Sequence, residues 1–122
     1  MVAELAGGYL RLNWSAQPRT SADVPALLSA AARHLAELGY DRMLADQTTM
    51  LPFTADEQRW ITAQWLPEAV ASGYRFGAIL VSANVLARLA TAYITTSVQN
   101  LPLRYRSFDS EAAAVEWLLR QA

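Results

Sequence analysis

From Tyr9 onward, short stretches with strand patterning alternate with stretches at helical pitch, and this alternation restricts the fold more than any other feature. Tyr9 to Trp14 repeats with a period of two. Leu10, Leu12 and Trp14 project one way and Tyr9, Arg11 and Asn13 the other, so this strand has one wetter face. Asp41 to Asp46 (DRMLAD) reads as a short buried strand. Tyr74 to Ser82 carries Phe76, Ala78, Ile79, Leu80 and Val81 and is apolar on both faces, which predicts a strand in the interior of a sheet. Leu103 to Phe108 alternates again, with Arg104 and Arg106 on one face, as suits an edge strand.

The intervening stretches carry helix signals. Thr20, Ser21 and Asp23 offer capping oxygens, Pro25 fits an early helical position, and Gly39 supplies a stop. Between them Val24, Leu27, Leu28, Ala31, Leu35 and Leu38 fall on one arc of about 100°. Thr54 and Glu57 form a capping-box pattern that opens a second helix, with Trp60, Ile61 and Trp65 on its inner arc. Pro67 predicts a kink near Gln64 to Leu66 and a new segment running to Ser72, because the proline has no N–H to give and its ring crowds the preceding turn. Asn84 caps a helix expected to turn Val85, Leu86, Leu89, Tyr93 and Ile94 inward. Asp109 or Ser110 caps the last one, expected to bury Ala112, Val115, Leu118 and Leu119.

Strands alternating with helices pair in parallel through right-handed crossovers. Ahead of them Val2 to Leu5 also alternates, and Gly7-Gly8 between it and Tyr9 is a hairpin signal. The expected fold is therefore one α/β domain over residues 1–122: a single mixed, mostly parallel sheet with an N-terminal β-hairpin.

Composition excludes several chemistries. The chain of 122 residues has no cysteine, and all ten of its basic residues are arginine. Disulfides, thiol catalysis and lysine Schiff bases are thereby ruled out. One histidine leaves zinc without a plausible ligand set, so no metal and no cofactor are expected. A net charge of −1 without a basic stripe gives no footprint for nucleic acid. The longest apolar runs, such as Ala78 to Val81, are strand-length, so no membrane span is expected. The first residues lack a basic and then apolar leader, which makes a cytoplasmic location the expectation.

Candidate site residues gather where strand ends meet helix starts. Asp46, Thr48 and Thr49 follow the end of one parallel strand, and Ser82 and Asn84 follow the next. Such ends collect ligands in open α/β sheets. The same residues also serve as plain turn and capping groups. Ser15, Gln17 and Arg19 leave the first long strand at the same edge. Trp60 and Trp65 either pack the core or line an apolar groove. His34 reads as a boundary histidine on the flank of the first helix, away from these strand ends. No nucleophile–base pair is visible, so no catalytic residue is assigned and no enzymatic activity is expected.

Three local features carry a resemblance to a known family. Leu10-Arg-Leu-Asn-Trp14 resembles an opening strand that ends in tryptophan, and Met43-Leu-Ala-Asp46 a strand that ends in aspartate. Phe108-Asp-Ser-Glu-Ala-Ala-Ala-Val-Glu-Trp-Leu118 resembles a closing signature in which Phe-Asp leads into a capped helix finishing in Trp-Leu. Together they resemble the STAS-like domains, the sulfate-transporter and anti-sigma-factor-antagonist superfamily, in its small bacterial stand-alone branch. The CRAL-TRIO lipid-binding domains are related to these in fold. The resemblance implies a regulatory or protein-interaction module; the lipid-binding relatives imply, as the alternative, a carrier or sensor of a small apolar or anionic ligand. Anti-sigma-factor antagonists carry a phosphorylatable serine in an Asp-Ser-(Ser/Ala)-Gly motif after the aspartate-ended strand. Here Gln47-Thr-Thr-Met-Leu-Pro-Phe-Thr54 stands instead, so the phospho-switch is not implied, although Thr48, Thr49 and Thr54 leave hydroxyls nearby. A homodimer is expected, since an edge strand or a tryptophan-bearing helix needs cover.

Overall fold

A computed structural model describes residues 2–121. Five strands, β1 (Val2–Ala6), β2 (Tyr9–Asn13), β3 (Arg42–Asp46), β4 (Phe76–Leu80) and β5 (Arg104–Phe108), form one sheet in chain order. β1 pairs antiparallel with β2, Val2 opposite Asn13 and Ala6 opposite Tyr9. β2, β3, β4 and β5 are mutually parallel, with Leu10 beside Met43, Ala45 beside Ile79 and Leu80 beside Phe108.

Each β-α-β step moves one strand further in the same direction. Right-handed crossovers then lay every connecting helix on the same face. These helices are α1 (Asp23–Leu38), the pair α2 (Ala55–Trp60) and α3 (Leu66–Ala71), and α4 (Val85–Thr96). Their buried side chains join Leu10, Leu12, Trp14 and Met43 in the larger core. The closing helix α5 (Glu111–Arg120) has no following strand and covers the opposite face, packing Ala114 and Leu118 on Tyr9, Leu44, Ala78 and Leu80. β4 is interior, with both Ile79 and Leu80 4% exposed, and β5 is an edge. No helix among the described residues is long and apolar enough to cross a membrane.

Between α2 and α3 the backbone changes pitch. Pro67 offers no N–H to the carbonyl of Ala63, and the strain is taken up by five residues of π-helix, Ile61–Trp65, in which the Leu66 N–H reaches the Ile61 carbonyl. This turn sends Ile61 and Trp65 into the core, where the Trp65 indole donates to the Leu28 carbonyl at 2.6 Å.

Three helix faces depart from the sequence reading. α4 buries Ala87, Ala90, Thr91 and Ile94, whereas Val85, Leu86, Leu89 and Tyr93 face solvent at 58–67% exposure. The cause lies in the turn before it. Ser82 Oγ accepts from the Asn84 N–H at 3.0 Å and Asn84 Oδ1 from the Ala87 N–H at 3.1 Å, which sets the rotation of the helix before its first apolar residue. The small inward residues then let the helix sit close to the sheet. In α5, Trp117 packs on Phe108 and Phe76 with ring centroids 5.8 and 6.5 Å away. Turning the helix toward those rings leaves Ala112 and Leu119 outside. Leu38, in the last turn of α1, is also exposed.

Candidate functional site

The C-terminal ends of β2, β3 and β4 form one rim. Asp46 closes β3, and its carboxylate is engaged on both oxygens. Oδ2 receives Arg11 Nη2 at 2.9 Å, and Oδ1 accepts from the Thr48 N–H at 3.1 Å and the Thr48 hydroxyl at 2.7 Å. Arg11 also pairs with Glu111 at the start of α5, and its Nε donates to Asn13 Oδ1 at 2.7 Å. The guanidinium therefore ties two strands to α5. This polar cluster lies on the α5 side of the sheet, because Arg11, Asn13 and Asp46 are in the same register phase as Tyr9 and Leu44.

Ser82 and Asn84 sit at the neighbouring strand end, occupied in the turn that starts α4. Thr49 is exposed beside Thr48. Trp65 is buried and Trp60 half-buried. The structure thus brings Asp46 and Thr48 into contact and sets Ser82 with Asn84, but it keeps the two tryptophans in a different layer. Ser15, Gln17 and Arg19 do follow β2 at the same end. Arg19 is a clamp: it makes a two-pronged pair with Glu57 (2.9 and 3.2 Å), donates to the carbonyls of Leu51 and Pro52, and lies over the rings of Trp14 and Phe53. Burial alone would raise the Glu57 carboxyl, but hydrogen bonds from Arg19 and Thr54 outweigh it and hold the group below its usual range. His34 is exposed on α1, its Nδ1 3.9 Å from a Glu37 carboxylate oxygen.

Two spaces adjoin this rim; of the residues singled out from the sequence, Trp65 lines the first and Ser82 the second, while Gln47 and Thr91, which line both, were missed. Against the larger core is a partly open space of about 50 Å³ whose wall includes Trp14, Phe53, Trp65, Tyr74 and Tyr105. That is room for a few waters or the end of a small molecule, not for a lipid chain. Burial pushes the Tyr74 and Tyr105 phenols up, so both stay neutral, and their rings meet edge to face with centroids 5.9 Å apart. Gly77 on β4 makes that pairing possible, since a Cβ there would collide with the Tyr105 ring and the Tyr74 hydroxyl. The Trp14 indole Nε1, by contrast, is fully buried without a hydrogen-bond partner, the one such side-chain atom among the described residues. An orphaned buried donor costs about 1–3 kcal/mol.

Outside, a cleft of about 240 Å³ opens between α4 and the ends of β4 and β5, bordered by Ser82, Arg88, Leu89, Ala92 and Ser107. Gln47, Ile79 and Thr91 belong to the walls of both spaces. Thr91 donates to Gln47 Oε1 at 2.7 Å, a buried polar pair set across the boundary. Gln47 directly follows the aspartate that closes β3, and Thr91 is the polar residue on the otherwise apolar inner face of α4. Those positions were the available signals. A groove of about 430 Å³ lies beside Trp60, between the starts of α1 and α2. Among the described residues, no group of three or more His, Asp or Glu side chains is gathered as a metal site would need.

Compared with known proteins, the chain matches no family model and no curated protein sequence.

Proposed function

We propose that this chain works by binding, as a non-enzymatic interaction module of STAS-like type, and that α4 is the surface it presents to a partner protein. The observation that carries the reading is the row Val85, Leu86, Leu89 and Tyr93, four large apolar residues each 58–67% exposed on one helix. Contiguous apolar surface of this kind marks interaction sites, and single exposed leucines do not. The row runs over two turns, about 12 Å at 1.5 Å per residue, which matches two turns of a partner helix.

The occupant is an amphipathic helix with an acidic residue beside its apolar row. Arg88, exposed one residue before Leu89, has no carboxylate partner among the described residues, and Val85 to Thr96 contains no acid. A second copy of this chain fits less well, because a two-fold axis near the middle of the row brings two Arg88 guanidiniums together without a counter-charge.

The STAS-like type is supported by the β-α order after β1 and by the closing segment. Phe108 ends β5, Ser110 caps α5 through the Ala113 N–H, and Trp117 returns to pack on Phe108. Binding rather than catalysis is supported by the state of the polar groups: both Asp46 oxygens are engaged, Ser82 Oγ accepts a backbone N–H, and His34 is on the exposed side of α1.

Selection of helical peptides from a display library against the full chain tests this. Recovered peptides should carry an apolar row with an acid alongside, lose at least tenfold in affinity to Leu86→Glu, and change charge preference with Arg88→Glu. Peptides that bind Leu86→Glu unchanged overturn the assignment to α4. Concentration-dependent dimerisation abolished by Leu86→Glu overturns the choice of partner in favour of a second copy.

A further inference from the structure

β5 is an edge of the sheet, and part of its backbone is left without partners. The Arg104 N–H donates to the Arg75 carbonyl at 2.9 Å, and the Phe108 carbonyl accepts from the Val81 N–H at 3.1 Å. Backbone direction alternates along a strand, so Arg104, Arg106 and Phe108 turn their N–H and C=O groups toward β4. Tyr105 and Ser107 turn theirs outward, where no hydrogen bond meets them among the described residues. We infer that this edge takes an extended segment of a partner protein as an added strand, and that the segment alternates acidic with aliphatic residues.

The alternation follows from the two sides of β5. Arg104, Arg106 and Phe108 share the α5 side of the sheet, in phase with Phe76, Ala78 and Leu80. α5 lies mainly over β3 and β4, and both arginines are exposed beside it. Neither has a carboxylate partner among the described residues. The Arg106 guanidinium lies over the Phe108 ring, 5.3 Å from its centroid, which keeps it along the strand. A residue directly opposite on an added strand projects to the same side, whichever way that strand runs, so acids there meet Arg104 and Arg106. Tyr105 and Ser107 belong to the α4 side. Tyr105 is half-buried against the larger core, and Ser107 is exposed at the cleft of about 240 Å³. Ile79, Leu89 and Ala92 border that cleft too, so the residue opposite Ser107 meets an apolar wall, which an aliphatic side chain suits. Backbone pairing for affinity, with pockets for alternate side chains, is how sheet edges recognise extended peptides.

A second copy of β5 is a poorer occupant. The full-length antiparallel register, centred on Arg106, sets two Arg106 side chains opposite each other. Centred on Tyr105 instead, it sets Arg104 against Arg106 on both sides of the axis. Like charges directly opposite destabilise a strand pair. The arginines therefore act against self-pairing and in favour of an acidic strand. This edge is separate from the helix-binding row on α4, and Leu86, the residue that tests that row, does not border the cleft.

The test uses the full chain, labelled with nitrogen-15, and the capped peptide Thr-Val-Glu-Val-Glu-Val-Thr. Binding should slow hydrogen exchange at the Tyr105 and Ser107 amides and leave the Arg104 amide, already bonded to Arg75, unchanged. A peptide of the same composition with adjacent glutamates, Thr-Val-Val-Glu-Glu-Val-Thr, should bind roughly fivefold more weakly. Arg106→Glu should weaken the alternating peptide by a similar factor. Ser107→Pro should abolish its binding, since that N–H points away from β4 and its loss leaves the β4 ladder intact. Leu86→Glu should leave binding as it is. If Ser107→Pro does not fold, the exposed Arg106→Glu decides. Tyr105 and Ser107 amides that stay unprotected at millimolar peptide overturn the proposal. So does equal binding of the two peptides, or binding that survives both Arg106→Glu and Ser107→Pro. Loss of binding in Leu86→Glu places the peptide on α4 and overturns it as well. Protection of the two amides that rises with protein concentration in the absence of peptide overturns the choice of an acidic segment in favour of a second copy.

Discussion

α1 and α4 lie on the same face of the sheet, yet they present opposite residues to it. α1 buries most of the large members of its apolar arc: Val24 and Leu35 are fully buried, Leu28 is 3% exposed and Leu27 is half-buried, with Leu38 in the last turn left outside. α4 buries alanine, threonine and one isoleucine and turns four larger side chains to water. Hydrophobicity alone favours the reverse for α4. The difference separates a helix whose apolar residues hold the fold from one whose apolar residues remain for something else. It also separates two ways of starting a helix. α1 has no side-chain cap, its N-terminal contact being Asp23 Oδ2 with the Thr20 N–H, whereas α4 is locked by Ser82 and Asn84.

Core truncation puts the greatest pressure on this contrast. Leu35→Ala in α1 should destabilise by about 2–5 kcal/mol in urea unfolding, through lost burial and the cavity left behind. A value below about 1 kcal/mol would mean that α1 is no more a core helix than α4. Next in size, Ala90→Leu should cost about 1–3 kcal/mol, because α4 approaches the sheet through small residues and an added side chain has no space. A neutral or stabilising result would show that α4 can rotate to bury its larger row. Asn84→Ala should cost about 1 kcal/mol by removing the acceptor of the Ala87 N–H. Ala22→Asn, which offers α1 the cap it lacks, should raise its stability by less than that. Leu86→Ser should have the smallest effect, within about 0.5 kcal/mol, as for other exposed positions. A large loss there would move the row from interaction surface to core. All five are read from the same chemical denaturation midpoints at constant slope.

Much of the fold was legible from local rules. The period-two pattern of Tyr9–Trp14 assigned Leu10, Leu12 and Trp14 to one face and Tyr9 and Arg11 to the other, as found. The two-sided apolarity of β4 and the arginine-bearing face of β5 identified an interior strand and an edge. Thr54 with Glu57 forms a reciprocal capping box, and the distortion before Pro67 is present as a π-turn. The candidate site was less legible. Asp46 with Thr48 and Ser82 with Asn84 were located at the strand ends. Nothing local says that the Asp46 carboxylate is taken up by Arg11, 35 residues earlier, or that Gln47 meets Thr91, 44 residues later. The reading of α4 failed because its sequence contains two usable arcs, one of large and one of small residues, and hydropathy weighs only the first.

By itself, then, the sequence determined what depends on near neighbours: strand faces, which follow from the pleat; caps, which need three or four residues; and the break at Pro67, which follows from a missing N–H. It also determined which chemistries are absent, because a residue that is not present cannot act. Only the tertiary structure decided the rotation of α4 and α5, the pairing of Gln47 with Thr91, and the stranding of the Trp14 N–H in the core. These depend on how closely a helix approaches the sheet and on which distant groups are left to pair once it has done so. Packing settles both across the whole core at once.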